Sequence, residues 1–447
     1  MTGRLEFQRA GPALAARSNE AAVQKPPIRS APRTISQHAS MRLLQGLLRK
    51  IIHKGRLILI APDELAIEFG SAGERVAIRI TDWAVVHRLA LDPDLAIGEA
   101  YMAGTLVMEN GSIYDFLELC LNNLGWGRGH WLRHAHAIIG RLGRRLAQHN
   151  PVRVARVNAA HHYDLSDALY GHFLDSDRQY SCAYYMSPED TLEAAQAQKK
   201  RHLAAKLLLR AGQRVLDIGS GWGGLAIHLA EAAAVNVTGI TLSTEQHKYS
   251  SQRAAQVGLT GRVNFLLKDY RHEAGRYDRI VSVGMFEHVG VGHYREFFKK
   301  LRELLTDDGI ALIHTIGSAA GSGGTHAWLH KYIFPGGYTP ALSEVVPVIE
   351  QAGLHITDVE VLRMHYAETL KAWRQRFMAS REHIVELYDE RFCRMWEFYL
   401  AGCEAAFRHS GLVVYQIQVS KRNDNVPLTR DYIAEWERSH SGQLAAG

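Results

Sequence analysis

The spacing of hydrophobic positions changes along the chain. From Met41, the residues Leu43, Leu44, Leu47, Leu48, Ile51 and Ile52 recur at helical intervals, with Arg42, Gln45, Arg49 and Lys50 between them. This pattern predicts an amphipathic helix. Its apolar face has two possible uses: packing on its own domain, the favoured reading, or lying on a membrane surface. Short alternating runs over 57–60, 65–69 and 76–80 follow, separated by Pro, Asp and Gly, and predict strands. A helical stretch over about 95–121, interrupted by Gly104 and Gly111, closes a small α+β unit spanning 41–122.

From about residue 155 the pattern alternates between helix and strand. A helical run over 192–209 precedes an apolar strand at 214–218. Further strands are expected at 235–240, 263–267, 277–283 and 309–314, with helices between them. Two later strands, near 355–364 and 413–420, flank a helical insertion over 367–411 that is rich in Trp, Phe and Tyr. This alternation predicts an α/β fold with a doubly wound, mostly parallel sheet. The insertion's Trp373, Phe377, Phe392, Trp396, Phe398 and Tyr399 read equally well as the wall of a channel or as the core of a helical hairpin.

Charge divides the chain further. The net charge is +6, yet residues 1–60 hold eleven Lys and Arg against only Glu6 and Glu20. Residues 1–40 lack periodicity and read as a disordered basic arm. A second basic block, 126–156, has seven Arg, four His and no acidic residue, and makes 123–156 a basic linker. The catalytic domain is expected over 157–430 and a tail over 431–447. Such basic stretches suit anionic membrane or nucleic acid. The four cysteines are far apart and form no CxxC, which excludes a disulfide scaffold and a cysteine zinc site. No metal site is expected. With no long apolar run and no signal-like h-region, a cytoplasmic protein is expected.

The densest local signal is Val215-Leu216-Asp217-Ile218-Gly219-Ser220-Gly221-Trp222-Gly223-Gly224, an apolar strand ending in a glycine turn that opens a helix. Gly219, Gly221 and Gly223 let backbone approach a ligand, and the helix N-terminus favours negative charge. The GxGxGG spacing, with Asp217 two residues ahead, resembles the S-adenosylmethionine site of class I methyltransferases. The usual acidic residue after the second strand is replaced by Thr241-Leu242-Ser243, so Gln246 or a backbone group is the candidate ribose contact. Asp269, followed by Tyr270, reads equally as an adenine contact or a helix cap.

Further segments extend the resemblance: His162-Tyr163-Asp164-Leu165-Ser166, Tyr180-Ser181-Cys182-Ala183-Tyr184, Ser282-Val283-Gly284-Met285-Phe286-Glu287-His288-Val289-Gly290, His314-Thr315-Ile316-Gly317 and Lys331-Tyr332-Ile333-Phe334-Pro335-Gly336. Together they resemble the cyclopropane-fatty-acyl-phospholipid synthases, relatives of the mycolic-acid cyclopropane synthases, over about 155–425. The resemblance implies transfer of a methylene from S-adenosylmethionine to a cis double bond in a phospholipid acyl chain. It implies bicarbonate as base, held by Cys182, Glu287, His314, Ile316 and Tyr366, with Tyr163, Tyr180 and Ser181 at the methionine end of the cofactor. It also implies peripheral attachment to an anionic membrane and, often, a homodimer. One departure is Ser220, where many members have Cys.

The chemistry agrees with that implication. Alkylating an alkene leaves a carbocation, which needs a dry pocket, electron-rich neighbours and a nearby base. Periodicity alone puts Glu287 just after the fourth strand, His314 at the end of the fifth and Tyr366 just after the sixth, where open α/β sheets bind ligands. A nucleic-acid methyltransferase is disfavoured because the basic blocks lie outside the catalytic half. A non-catalytic lipid carrier is disfavoured by the intact Glu287, His314 and Tyr366. A sibling reaction that leaves a methyl branch or methylene group stays open.

Overall fold

The computed structural model describes residues 34–125, 167–323 and 326–440. Tyr163, the segment 162–166 and the basic block 126–156 lie outside the described residues, as does most of the expected N-terminal arm.

The first helix starts earlier than its apolar pattern. Thr34 caps α1 (Ile35–Ile51): its hydroxyl accepts the Gln37 amide at 3.3 Å, and Gln37 Oε1 accepts the Thr34 amide at 2.7 Å. Residues 35–40, assigned above to the arm, are therefore helical. Met41 and Leu44 are buried, whereas Leu43 is 47% exposed and Arg42, Arg49 and Lys50 face solvent.

Strands β1 (Gly55–Ile60), β2 (Ala66–Ala72), β3 (Arg75–Ile80) and β4 (Leu106–Asn110) form a sheet ordered β2-β1-β3-β4. Strand β4 corrects the helical reading of 95–121. Helices α2 (Trp83–Leu91) and α3 (Pro93–Met102) end before it and α4 (Ile113–Leu124) begins after it. Gly104 and Gly111, with φ of 71° and 80°, make the turns on either side, so the two glycines bound a strand rather than interrupt a helix.

The second unit carries the seven-stranded sheet. Helices α5 (Asp167–Phe173) and α6 (Leu192–Lys206) come first. The strands are β5 (Arg214–Ile218), β6 (Asn236–Thr241), β7 (Val263–Leu267), β8 (Tyr277–Val283), β9 (Leu305–Ser318), β10 (His355–Leu362) and β11 (Leu412–Ser420). Their order is β7-β6-β5-β8-β9-β11-β10, and only β11 runs antiparallel to its neighbours. Val215, Leu216, Ile280, Val281, Ala311 and Leu312 are fully buried, as expected of strands covered on both faces. Helices α7 (Gly224–Ala233), α8 (Thr244–Gln256) and α9 (Tyr294–Leu304) provide that cover. The chain winds outward from β5 through β6 and β7, then returns beside β5 as β8. The carboxyl ends of β5 and β8 thus frame the crevice where the winding reverses.

Helices α10 (Ala327–Tyr332) and α11 (Leu342–Gln351) lie between β9 and β10. The insertion is α12 (His365–Ala379), α13 (Arg381–Leu387) and α14 (Glu390–His409), and α15 (Asp431–Ser439) ends the described chain. Trp373, Phe377, Trp396 and Tyr399 are fully buried, so the insertion's aromatic residues form a packed core. Helix α14 also packs against α3 and α4, and one hydrophobic cluster runs from Tyr101, Phe116 and Leu117 into Trp396, Phe398 and Leu400. Gly98 permits this contact, because a Cβ there would stand 2.9 Å from Phe398 Cε1 on α14 and would also strike the Trp328 indole. Beside it, Glu99 accepts from Lys331 Nζ at 2.7 Å and from Tyr332 Oη at 2.9 Å. The N-terminal unit and the insertion therefore share a core, and a chain cut near residue 155 would expose it.

Candidate active site

The glycine loop after β5 opens onto a cleft of about 1380 Å³, including its mouth. Gly219, Gly221 and Gly223 have φ of 85°, 54° and 84°, backbone that other residues adopt at a cost of roughly 1–2 kcal/mol. The Gly219 and Ser220 amides both donate to Ile240 O, at 2.9 and 3.0 Å, which locks the loop to β6. A Cβ on Gly221 would meet nothing within 4 Å and would stand in open space. Gly223 does not line the cleft. A Cβ there would strike Phe265 and Ser250, at 2.7 and 2.8 Å, so this glycine lets α7 pack closely on the sheet.

Most of the other expected cofactor residues do line the cleft: Tyr180, Ser181, Asp217, Thr241, Leu242, Gln246, Asp269 and Tyr270. Asp217 is the most informative of them. It is buried, its Oδ2 has no hydrogen-bond partner among the described residues, and burial pushes its carboxyl up to about 7. A cationic ligand group fits there, and the α-ammonium of S-adenosylmethionine is one. Thr241 Oγ1 donates to Gln246 Oε1 at 2.9 Å, which leaves the Gln246 amide nitrogen free of that bond. Asp269 caps the turn Tyr270–His272 and is bridged by Arg271, Nε to Oδ1 at 2.9 Å and Nη2 to Oδ2 at 2.7 Å. The cap reading of Asp269 is therefore realised, in a residue that also faces the cleft.

The residues expected to hold the base lie off the cleft lining. Glu287 follows β8 in the short helical turn Phe286–His288 and is buried. Its Oε1 accepts the Ile316 amide at 2.6 Å, while Oε2 has no hydrogen-bond partner among the described residues. The Ile316 N–H, expected to serve a bound anion, thus serves Glu287. Burial pushes the Glu287 carboxyl up to about 7. His314 lies opposite Gln416 on β11, whose amide faces its Nδ1 at 3.2 Å. Burial holds this imidazole far below its ordinary pKa, so it is neutral. The Gln416 amide beside Nδ1 sets which ring nitrogen carries the proton.

Tyr366 begins α12 and packs edge-on against Trp373 and beside Phe407, with centroids 5.8 and 4.8 Å away. The same helix holds Thr369, whose Oγ1 accepts the Ala183 amide at 3.0 Å and so fixes the Cys182 segment to the first turn of α12. Burial pushes the Cys182 thiol well above its ordinary range; its side chain is a small hydrophobe and not a nucleophile. Tyr180 joins the two regions: it lines the cleft and pairs Oη to Oη with the buried Tyr399 at 2.8 Å.

Sequence reading missed several residues here. Arg178, Gln179, Met285, His288, Pro335 and Gly336 line the cleft. Behind the lining, Gln196 and Lys199 are buried on α6. His288 is kept neutral by burial, which pulls it down to about 4. Only the GxGxGG turn and the strand-end positions carried local signals. The polar residues among the alanines of α6 carry no local signal of burial.

Known proteins resemble the chain in sequence and fold. The model of the mycolic acid cyclopropane synthetase family matches residues 151–417. The cyclopropane-fatty-acyl-phospholipid synthase of Escherichia coli K12 is 36% identical over 356 residues, 80% of this chain and 90% of that one. A tuberculostearic acid methyltransferase of Mycobacterium tuberculosis is also 36% identical, over 88% of this chain and 94% of its own. Among solved structures, a mycolic acid cyclopropane synthase complexed with SAH and CTAB superposes with a TM-score of 0.56 at 34% identity, covering 59% of this chain and 97% of that one. With its β5 glycine cleft and reversing parallel sheet, the chain belongs to the mycolic acid cyclopropane synthetase family and is an S-adenosylmethionine-dependent methyltransferase.

Proposed function

We propose that this enzyme converts a cis double bond of a phospholipid acyl chain into a cyclopropane ring, with bicarbonate as the base. When bound, S-adenosylmethionine supplies an electrophilic methyl carbon. The alkene π pair forms a bond to that carbon as the sulfur–carbon bond breaks, leaving a carbocation on the chain. The pair from the broken sulfur–carbon bond stays on sulfur and gives S-adenosylhomocysteine, and loss of one proton from the new methyl to bicarbonate closes the ring.

The chain's own residues have definite tasks in this reading. Asp217 takes the cofactor's ammonium, and Gln246 the ribose. Neutral His314 and Tyr366 donate to the small anion. Glu287 Oε2 accepts its O–H, which raises its basicity. The buried aromatic core beside Tyr180 and Tyr366 keeps water from the cation and faces it with π density. The observation that carries the proposal is Glu287: a buried carboxylate with one oxygen unclaimed, beside a neutral histidine's strand, at the edge of a cofactor cleft.

The substrate sits in a bilayer, so the enzyme must dock. Helix α1 presents Arg42, Arg49 and Lys50 with exposed Leu43, and Lys54 follows it. Each basic residue near an anionic surface contributes about 1 kcal/mol, enough in sum for reversible attachment that salt weakens. We assign this face to the inner surface of the cytoplasmic membrane.

Release of S-adenosylhomocysteine tests the proposal. Anionic vesicles of cis-unsaturated phospholipid should support turnover, and fully saturated vesicles should not; equal release from both would refute it. A second reading has support in the tuberculostearic acid methyltransferase relative: the same cation could end as a methyl branch. The isotope pattern of the product separates the two.

A further inference from the structure

Helix α6 lies under the Gln179–Ser181 segment and grips it from behind. Gln196 Nε2 donates to Gln179 O at 3.2 Å and to Ser181 O at 3.0 Å. One turn later, Lys199 Nζ donates to Gln179 Oε1 at 2.7 Å and to Ser181 Oγ at 2.8 Å. Lys199 is fully buried, and Gln179 and Ser181 both line the cleft. A buried ammonium is costly unless it is hydrogen-bonded, so a lysine here calls for a reason beyond packing. An ammonium has no lone pair, so Ser181 Oγ can only accept from it. The serine proton is thereby left for a partner on the cleft side, and the charge behind it makes that proton a stronger donor.

We propose that Lys199 is a positioning residue for the amino-acid end of the cofactor: it holds Ser181 so that the hydroxyl donates to the ligand carboxylate. The inference rests on the S-adenosylmethionine reading and extends it to a residue outside the cleft. Asp217 offers a negative group for the ligand ammonium, and the Lys199–Ser181 pair offers a positive one for its carboxylate. Burial pulls the Lys199 ammonium down to about 8 and Lys200 lowers it further, while Asp175, Asp177 and Asp217 favour its charged form. It is charged at pH 7.

The test compares two ligands by calorimetry on the full chain at pH 7. S-adenosylhomocysteine carries the amino-acid end, and 5′-methylthioadenosine lacks it. Lys199→Met should weaken S-adenosylhomocysteine roughly tenfold to a hundredfold, the effect of losing a charge-assisted hydrogen bond, and leave methylthioadenosine unchanged. Ser181→Ala leaves the buried grip of Gln196 in place and should give the same selective loss. Adding Lys199→Met to Ser181→Ala should cost little more. Equal weakening of both ligands by Lys199→Met would mean a structural role only, and Ser181→Ala that spares S-adenosylhomocysteine would overturn the relay even if Lys199→Met does not fold. A wild-type chain that binds neither ligand would refute the cofactor reading, and this inference with it.

Discussion

The glycine loop after β5 and the buried Glu287 and His314 beyond it lie at one end of the same sheet but are built in different ways. The loop is one short run of residues, and it works through backbone: three glycines at positive φ and two amides tied to Ile240 O. The proposed anion site draws on residues scattered from Cys182 to Tyr366, and it relies on burial, which keeps His314 neutral and lifts Glu287 to about 7. The first arrangement suits the gripping of a ligand; in the proposed reaction, the second sets the protonation of groups that act on it. Binding and chemistry should therefore be separable by mutation.

The largest effect is expected at the loop. Gly221→Val places a branched side chain in the open cleft on backbone with φ of 54°. Calorimetry should detect no S-adenosylhomocysteine binding, while circular dichroism still shows a cooperative melt. Native-like affinity would mean the loop is only a turn.

Glu287→Gln should do the reverse. Affinity for S-adenosylhomocysteine stays at the wild-type level, and turnover at saturating substrate falls roughly 10²–10⁴-fold, the usual worth of acid–base participation. The wild-type rate should rise as pH passes upward through about 7, because Glu287 is neutral below that value and ionised above it. The variant should lack this rise. A variant with undiminished turnover removes Glu287 from the chemistry.

Asp217 gives a milder signature on the binding side. Its carboxyl titrates near 7 in the free protein, and a bound ammonium would lower that value. Binding below pH 7 must then expel a proton, so affinity should fall by up to about tenfold per pH unit below 7 and level off above it. Asp217→Asn should flatten the profile, and Glu287→Gln should leave it alone. A wild-type profile that is flat from pH 5 to 8 argues against an ammonium at this site.

The smallest effect leaves both regions untouched. Reversing Arg42, Arg49 and Lys50 to Glu in the full chain should reduce cosedimentation with anionic vesicles and raise the lipid KM, with soluble-ligand binding unchanged. Equal sedimentation at low and high salt, with or without the reversals, would place the docking surface elsewhere. A truncated chain is a poor probe here, because the N-terminal unit shares its core with α14.

What the sequence disclosed follows the same division. The strand–glycine–helix turn was legible because ten adjacent residues specify it. The strands were legible because burial on both faces leaves continuous apolar runs such as Ile310-Ala311-Leu312-Ile313. Strand β4 is hidden in the sequence because Gly104 and Gly111 read as breaks in a helix, whereas their positive φ makes them turns around a strand. Helix α6 hid its role because it buries Gln196, Lys199 and Lys206 amid alanines; periodicity cannot distinguish a polar residue facing water from one facing a buried partner. The shared core of Tyr101, Phe116 and Trp396 was invisible because its halves are nearly 300 residues apart, in the separate units of the chain.

The most direct test of the account follows the methyl hydrogens. The purified full chain is incubated with S-adenosylmethionine carrying a CD₃ group and with vesicles of cis-unsaturated phospholipid, and the acyl chains are analysed by mass spectrometry before and after catalytic hydrogenation. Ring closure requires one deuterium to be lost. The account predicts a gain of one CD₂ unit at each reacted double bond, in a product that resists conditions that saturate an alkene. A product that keeps the whole CD₃ group, or lipid with no added carbon, would contradict it.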